Sequence, residues 1–167
     1  MLAGYSGNYS RFEIERKYLI KERPRSLPES FVEIHDLYLN NSSLRLRIEK
    51  TPDGTIVGRK LTKKDPDPDK GKETSVITSL YLSEKDLVAL GNLNGASLKK
   101  HRYTFEYQDR RVVYDLFQGE LAGLILAEVE FKDYGSLSGF VPESESWEDV
   151  TGNPNYSGGS LAFSVKS

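Results

Sequence analysis

Apolar and charged side chains alternate over much of this chain, and a period of two is typical of β-strands. On the first such segment, one face carries Glu13, Glu15 and Lys17. Ile14 and Tyr18 lie on the other face. The eight predicted strands cover residues 11–20, 32–39, 43–50, 55–62, 73–79, 100–107, 111–117 and 124–132. The pattern therefore predicts a mainly β fold.

Turn residues separate these strands. The Pro-rich polar segment 63–72 predicts a mobile loop of the kind that serves as a lid. Ser83 followed by acids and apolar residues indicates a capped amphipathic helix that ends at Gly91 or Gly95. A second short helix is predicted within 145–150.

Eight strands with one clear helix favour a closed antiparallel barrel, because closure removes the exposed edges of a sheet. The charged faces would then line the interior, which is costly unless ligand, metal or mutual pairing neutralises them. The apolar faces would point outwards. We expect helices, the C-terminal tail or a second copy of the chain to cover them, so a homodimer is one expected arrangement.

Mixed charges on one face of a sheet have an ordinary interpretation, namely solvation and cross-strand pairing. Here the acids concentrate in two runs and the cations in three others, and this segregation favours a binding site for a multiply charged ligand. The charged positions are Glu13, Glu15, Lys17, Arg45, Arg47, Lys60, Lys100, Arg102, Asp115, Glu128 and Glu130.

Composition narrows the classes of partner and location. A length of 167 residues suits one domain, predicted over 11–167 after a flexible segment 1–10. With 23 Lys and Arg against 25 Asp and Glu, the net charge of -2 gives no basic field for nucleic acid or a membrane surface. The chain has no cysteine, no signal-like start and no long apolar run, so we expect a soluble, cytoplasmic protein.

The order of the charged motifs resembles the CYTH superfamily, the triphosphate tunnel metalloenzymes named for class IV adenylyl cyclase and thiamine triphosphatase. The resemblance runs from about residue 11 to residue 163 and is strongest to short bacterial inorganic triphosphatases. The motifs that carry it are Glu13-Ile14-Glu15-Arg16-Lys17, Arg45-Leu46-Arg47, Gly58-Arg59-Lys60, Lys100-His101-Arg102, Tyr114-Asp115 and Glu128-Val129-Glu130.

The resemblance implies an eight-stranded antiparallel tunnel with metal-dependent chemistry on triphosphates. It implies Mg²⁺ or Mn²⁺, which suits carboxylate oxygens without sulfur. The implied metal ligands are Glu13, Glu15, Glu128 and Glu130, with Glu73 and Asp115 as further candidates. The implied phosphate cradle is Arg45, Arg47, Lys60, Lys100 and Arg102.

Some relatives pair a tyrosine with the signature lysine, here Tyr38 and Lys17, so that the lysine takes a proton from the attacking water when neighbouring cations favour its neutral form. Taken by itself, Tyr38 has an ordinary interpretation as a core or rim residue. We expect structural roles for His35 and His101 and packing for Trp147.

Two stretches depart from the family pattern. Within 71–75 only Glu73 remains where many members carry two glutamates, and 157–160 lacks the basic residue that some members have. The predicted function is hydrolysis of tripolyphosphate or a nucleoside triphosphate to phosphate and a diphosphate product. A class IV adenylyl cyclase, a thiamine triphosphatase and a noncatalytic polyphosphate-binding module are the alternatives.

Overall fold

The alternating segments form strands in a computed structural model, which describes residues 9–67 and 69–166. The strands are β1 (Ser10–Ile20), β2 (Val32–Leu39), β3 (Leu44–Lys50), β4 (Ile56–Pro66), β5 (Thr74–Tyr81), β6 (Gly95–Tyr107), β7 (Arg110–Phe117), β8 (Ile125–Phe131) and β9 (Trp147–Asp149). The helices are α1 (Glu84–Leu90) and α2 (Gly158–Ser164). Of the predicted flexible segment, residues 1–8 lie outside the described part of the chain.

Strands β1 to β8 close into an antiparallel barrel, which confirms the predicted fold class. Their spatial order is β5-β4-β3-β2-β6-β7-β8-β1, and pairing of β1 with β5 closes the ring. The pairing with β5 ends where Ile14 lies opposite Thr74. Further along the same edge of β1, β9 takes over, with Ile20 opposite Trp147. The first strand of the barrel therefore has three partners, β5, β8 and β9.

The apolar faces of β1, β7 and β8 form the main core on the outside of the barrel, under the chain that follows β8. Phe140 and Trp147 from that tail pack on Tyr18, with ring centroids 5.8 and 5.3 Å from it. Tyr114 donates a hydrogen bond of 2.5 Å to Glu143 of the same tail. Of the three coverings expected, the C-terminal tail is the one observed on this face, and the packing role predicted for Trp147 is confirmed.

Helix α2 covers one end of the barrel, here called the helix end. Leu161 and Ala162 are buried there against Leu98 and Leu126. The Ser157 side chain caps the helix by accepting a hydrogen bond of 3.2 Å from the Ser160 amide. The segment 157–160, which lacks the expected basic residue, thus begins a helix that the sequence pattern did not predict.

Two predicted elements are wrong. Residues 63–66 are not part of a loop, because β4 continues to Pro66 and pairs with β5 there. Residues 147–149 within the predicted helix 145–150 are strand β9, because their backbone pairs with β1.

The predicted helix at Ser83 is confirmed as α1. Ser83 and Asp86 form a capping box at its start, and Gly91 ends it. Within residues 9–67 and 69–166, no helix has both the length and the apolar character that crossing a bilayer requires.

Candidate active site

The charged positions singled out in the sequence lie on the inner face of the barrel. Alternation along each strand puts them there, because their neighbours pack outside; on β1, Tyr18 and Ile14 belong to the outer core. Most of the inward ionised groups then fall into two groups along the barrel. One surrounds the middle and the helix end, and the other lies near the start of β1.

The first group is here called the central charge cluster. Its members are Lys17, Asp36, Arg45, Arg47, Lys100, Arg102, Asp115 and Glu128.

Asp36 holds two arginines of the central charge cluster. Arg47 donates two hydrogen bonds of 2.7 Å from Nε and Nη2 to the two Asp36 oxygens, while Arg45 Nε lies 3.8 Å from Asp36 Oδ1. Burial opposes the charge of Asp36, but Arg47 outweighs burial and lowers the pKa of this carboxyl to about 2. Asp36 is therefore an anchor for the Arg-x-Arg motif.

Asp115 and Glu128 hold the other cations of the central charge cluster. Arg102 donates to Asp115 at 2.7 and 2.6 Å and to Glu128 at 2.9 Å, and Lys100 also donates to Asp115. Lys17 Nζ lies 3.4 Å from Glu128 Oε1. Burial acts against the charge of Glu128, but Arg102 and Lys17 hold its pKa well below the usual range. Both carboxylates are thus engaged by cations.

The central charge cluster contains more cations than carboxylates. Five cationic side chains share three carboxylates, which leaves a surplus of two positive charges. The buried Nε of Arg45 also has no hydrogen-bond partner among the described residues. The Nε atoms of Arg59 and Arg110, outside the cluster, also lack a partner within 9–67 and 69–166, so the surplus of positive charge is the feature that distinguishes the cluster and suits an anion with several acceptor oxygens.

Lys100, which contacts Asp115, is the more deeply buried lysine of the central charge cluster, and burial is the main influence on its charge. Burial lowers the pKa of Lys100 to about 8, although the adjacent Asp115 raises it, and Arg102 and Arg47 contribute to the lowering. The pKa of Asp115 is lowered too, as expected for a carboxylate in contact with two cations. The two shifts are compatible because Asp115 divides its charge between Lys100 and Arg102. Lys100 is therefore an incompletely neutralised cation.

The second group consists of Glu13 and Glu15, here called the carboxylate pair, with Lys64 between them. Lys64 Nζ lies 2.8 Å from Glu13 Oε2 and 2.6 Å from Glu15 Oε1. Burial raises the pKa of Glu15, and the charge of Glu128 raises it further, while Lys64 and Lys17 oppose them. The carboxylate pair therefore needs a cation nearby.

The donors of the carboxylate pair fit Mg²⁺ or Mn²⁺, since both ions prefer oxygen ligands and Lys64 already places a positive charge between the two groups. Within the described ranges, no three or more acidic or histidine side chains converge on one metal position. Mg²⁺ is commonly held by one or two carboxylates, water and substrate phosphate. The carboxylate pair matches that kind of site.

Three predicted site residues lie apart from both groups. Lys60 binds Glu49 at 2.9 Å, at the end of the barrel opposite α2. Glu130 faces Glu15 across β1 and β8 but lies 3.3 Å from Arg111 Nη1. Glu73 precedes β5, where its carbonyl accepts a hydrogen bond of 2.9 Å from the Glu15 amide.

Lys17 and Tyr38 approach the same short segment from different strands. Lys17 Nζ is 3.5 Å from the Tyr156 carbonyl oxygen, and the Tyr38 ring lies against Gly158 and Gly159. No hydrogen bond joins Lys17 to Tyr38 in the part of the chain that the structure describes. The Glu128 carboxylate is the charged neighbour of Lys17, whereas Lys100 is the lysine close to the cations Arg102 and Arg47.

Sequence reasoning missed two residues of the site, Lys64 and Asp36. Lys64 fell in the segment predicted to be a loop. Its signal was the spacing Lys60, Thr62, Lys64, which places all three on one face of a longer strand. Asp36 precedes Tyr38 by two on β2 and faces Arg47 on β3, so strand pairing was the signal that identifies it.

Comparison with known proteins identifies solved structures that have the same fold. No family model matches the chain. Two crystal structures of a protein designated NE1496 share its fold. One, described as a hypothetical protein, has a TM-score of 0.60 at 25% identity over 92% of this chain and 99% of that one. The other, described as an inorganic triphosphatase, has a TM-score of 0.59 at 23% identity over 93% and 97%. This chain and NE1496 therefore share a fold, the closed eight-stranded antiparallel barrel described above.

Two further matches cover less of this chain. An inorganic triphosphatase of Nitrosomonas europaea is 33% identical over 72 residues, which are 42% of this chain and 48% of that protein. The match thus spans about half the length of that relative. A Bacillus halodurans protein, provisionally described as an adenylate cyclase, has a TM-score of 0.56 at 16% identity over 78% of this chain and 86% of that one. That likeness supports the fold alone.

Proposed function

We propose that this chain is a metal-dependent hydrolase of triphosphates, with inorganic tripolyphosphate or a nucleoside triphosphate as substrate and phosphate plus a diphosphate product. The observation that carries the proposal is the cation surplus of the central charge cluster, with the unpartnered Nε of Arg45 inside it. The similarity to proteins described as inorganic triphosphatases supports it.

The phosphate chain would replace the missing carboxylates of the central charge cluster. Arg45 has an unused donor, so it gains most from a phosphate oxygen. Arg47 is fixed by Asp36, and Arg102 by Asp115 and Glu128, so these guanidinium groups are held in place before substrate binds. Prepositioned donors stabilise the charge that develops during phosphoryl transfer without first reorganising.

The two ends of the site would have different tasks. The carboxylate pair would hold Mg²⁺ or Mn²⁺, while Glu130, opposite Glu15 in the strand register, and Glu73, whose backbone pairs with Glu15, are assigned no direct contact with it. Such an ion, when bound, neutralises phosphate oxygens and orients water. We assign Lys17 and Tyr38 to positioning the attacking water at the terminal phosphoryl group. In this assignment Asp115 holds cations, and Lys60 lies at the rim.

One experiment tests the reaction. The purified protein is incubated with Mg²⁺ or Mn²⁺ and, separately, tripolyphosphate, ATP and thiamine triphosphate, followed by assays of phosphate, pyrophosphate and cyclic AMP. Phosphate release from tripolyphosphate or ATP is the expected result. Cyclic AMP with pyrophosphate identifies a cyclase, preference for thiamine triphosphate identifies a different hydrolase, and binding without turnover identifies a noncatalytic module.

A variant of Arg45 separately tests whether the surplus cations of the central charge cluster bind the phosphate chain. Arg45→Ala removes a cation with no hydrogen-bond partner at Nε, so the unliganded protein should keep its stability or gain some. Tripolyphosphate should raise the melting temperature of this variant less than that of the wild type, because a charge-assisted hydrogen bond worth about 1.5–3 kcal/mol is lost. Arg59→Ala is the control, because Arg59 Nε also lacks a partner in the described part of the chain but the side chain lies on the outer face of β4, away from the central charge cluster. Equal thermal stabilisation of all three proteins contradicts the assignment of Arg45.

A further inference from the structure

Lys64 lies between Glu13 and Glu15, where a bound metal ion would lie. Its Nζ is within 2.8 Å of one carboxylate and 2.6 Å of the other. The side chains of Glu13 and Glu15 are only 9% and 14% exposed, whereas that of Lys64 is 35% exposed. Glu13 Oε2 and Glu15 Oε1 cannot both bind this ammonium and coordinate a divalent ion at the same position, so at these two oxygens the two cations compete.

We propose that Lys64 is a resident counterion, which competes with the divalent metal for the carboxylate pair and must leave before the metal binds. The inference rests on the proposed function in one respect, since it takes the carboxylate pair as the metal site. Lys64 is then a positioning residue. In the empty barrel its single positive charge offsets the repulsion between two buried carboxylates, and the exposed Arg11, 3.3 Å from Glu13 Oε1, adds a second positive charge on the far side of Glu13.

The partial exposure of Lys64 gives it a route out of the site. Its four-carbon side chain is flexible, and its strand, β4, pairs with β3, which carries Arg45 and Arg47. The cationic part of the barrel therefore adjoins the place that a displaced Lys64 ammonium leaves. A polyphosphate there offers it a new partner, so metal and polyphosphate should each favour binding of the other.

Titration calorimetry with Mn²⁺ alone tests the competition without turnover. Lys64→Gln should bind Mn²⁺ about tenfold more tightly than the wild type, which corresponds to about 1.4 kcal/mol. Lys64→Arg keeps the charge and should bind Mn²⁺ no more tightly than the wild type. Two controls separate occupancy from general repulsion: Lys17→Gln removes an interior cation outside the carboxylate pair, and Lys63→Gln removes the outward neighbour.

The calorimetry has two outcomes that overturn the inference. One is an unchanged or weaker Mn²⁺ affinity in Lys64→Gln, including the case in which neither protein binds Mn²⁺. The other is a gain in Lys17→Gln as large as that in Lys64→Gln, because general charge repulsion would then explain both.

Lysine acetylation, followed by mass spectrometry, tests the displacement in the wild-type protein. Saturating Mn²⁺ should increase modification of Lys64 severalfold, because the amine leaves the carboxylate pair, and leave Lys63 unchanged. Unchanged or reduced modification of Lys64 with Mn²⁺ bound contradicts the inference. Tripolyphosphate hydrolysis is measured in parallel. If the protein hydrolyses tripolyphosphate but Lys64 and Mn²⁺ do not compete for the carboxylate pair, this inference alone is overturned. If they compete but no hydrolysis occurs, the proposed function alone is overturned.

Discussion

The two faces of β1, β7 and β8 differ more than the two faces of a soluble sheet usually do. Outside, Val112 and Val129 are completely buried under the C-terminal tail. Inside, Asp115 and Glu128 from the same strands contact cations. Burial of apolar surface stabilises the fold, whereas interior ion pairs mainly offset their own desolvation. Stability and the proposed ligand binding therefore reside on opposite faces, and substitutions on the two faces should have separable effects.

The largest effect is expected outside. Trp147→Ala removes a large side chain from the outer core, so the free energy of unfolding should fall by about 3–5 kcal/mol. Urea denaturation measures this loss, and Val141→Ala, at an exposed position of the same tail, is the matched control. Hydrolysis per folded molecule at low temperature should be unchanged. A selective loss of hydrolysis with normal stability would break the separation between the faces.

A substitution on the inner face of β8 should affect hydrolysis more than stability. Glu128→Gln keeps the size of the side chain and one acceptor for Arg102 but removes a charge, so hydrolysis should fall by about a hundredfold to a thousandfold. Stability should fall less than in Trp147→Ala. The measurement is kcat/KM at saturating Mg²⁺ together with urea unfolding. Full activity would place Glu128 outside the reaction.

The stability of the protein should depend on pH because of Lys100, which lies on the inner face. The folded pKa of Lys100, about 8, lies below the ordinary lysine value of 10.5. Between these values the unfolded chain binds more protons, so stability should rise with pH from about 8 towards 10.5, by at most about 3 kcal/mol. Below pH 8 both states are protonated, and the destabilising contribution is complete.

Urea unfolding between pH 7.5 and 9.5 measures this rise below the range in which the tyrosines ionise. The difference in stability between the wild type and Lys100→Met should change with pH over that range. A constant difference would show that Lys100 is neutralised by Asp115 after all.

The smallest effect is expected at the helix end. A Cβ at Gly158 would overlap the Tyr38 hydroxyl, whereas a Cβ at Gly159 meets the Tyr38 ring at an ordinary 3.5 Å. Gly158→Ala should cost about 1–3 kcal/mol of stability through overpacking, and Gly159→Ala should cost less. Hydrolysis should also fall in Gly158→Ala if Tyr38 positions water. Equal melting temperatures for the two variants would show that α2 shifts freely on the barrel.

Strand alternation predicted the barrel and the inward direction of its charged motifs, because a period of two fixes the face of each side chain. This method of prediction failed where both faces of a strand are polar. Lys63 and Lys64 lie on opposite faces of β4, so apolar and polar residues do not alternate there and the end of the strand was not predicted. Strand β9 has three residues, too few for any period, and pairing with β1 determines it. Asp36 and Lys64 entered the site through cross-strand contacts, which a linear pattern does not contain.

The three partners of β1 have a consequence for folding during synthesis. This strand emerges first, yet its partner β8 ends at Phe131 and its partner β9 at Asp149, more than a hundred residues later. Contacts so distant in sequence form slowly, and an unpaired strand is a template for aggregation. Glu13, Glu15 and Lys17 keep one side of the waiting strand charged. We therefore expect the side chains proposed to serve the ligand site also to hinder aggregation of the nascent chain until β8 and β9 are made.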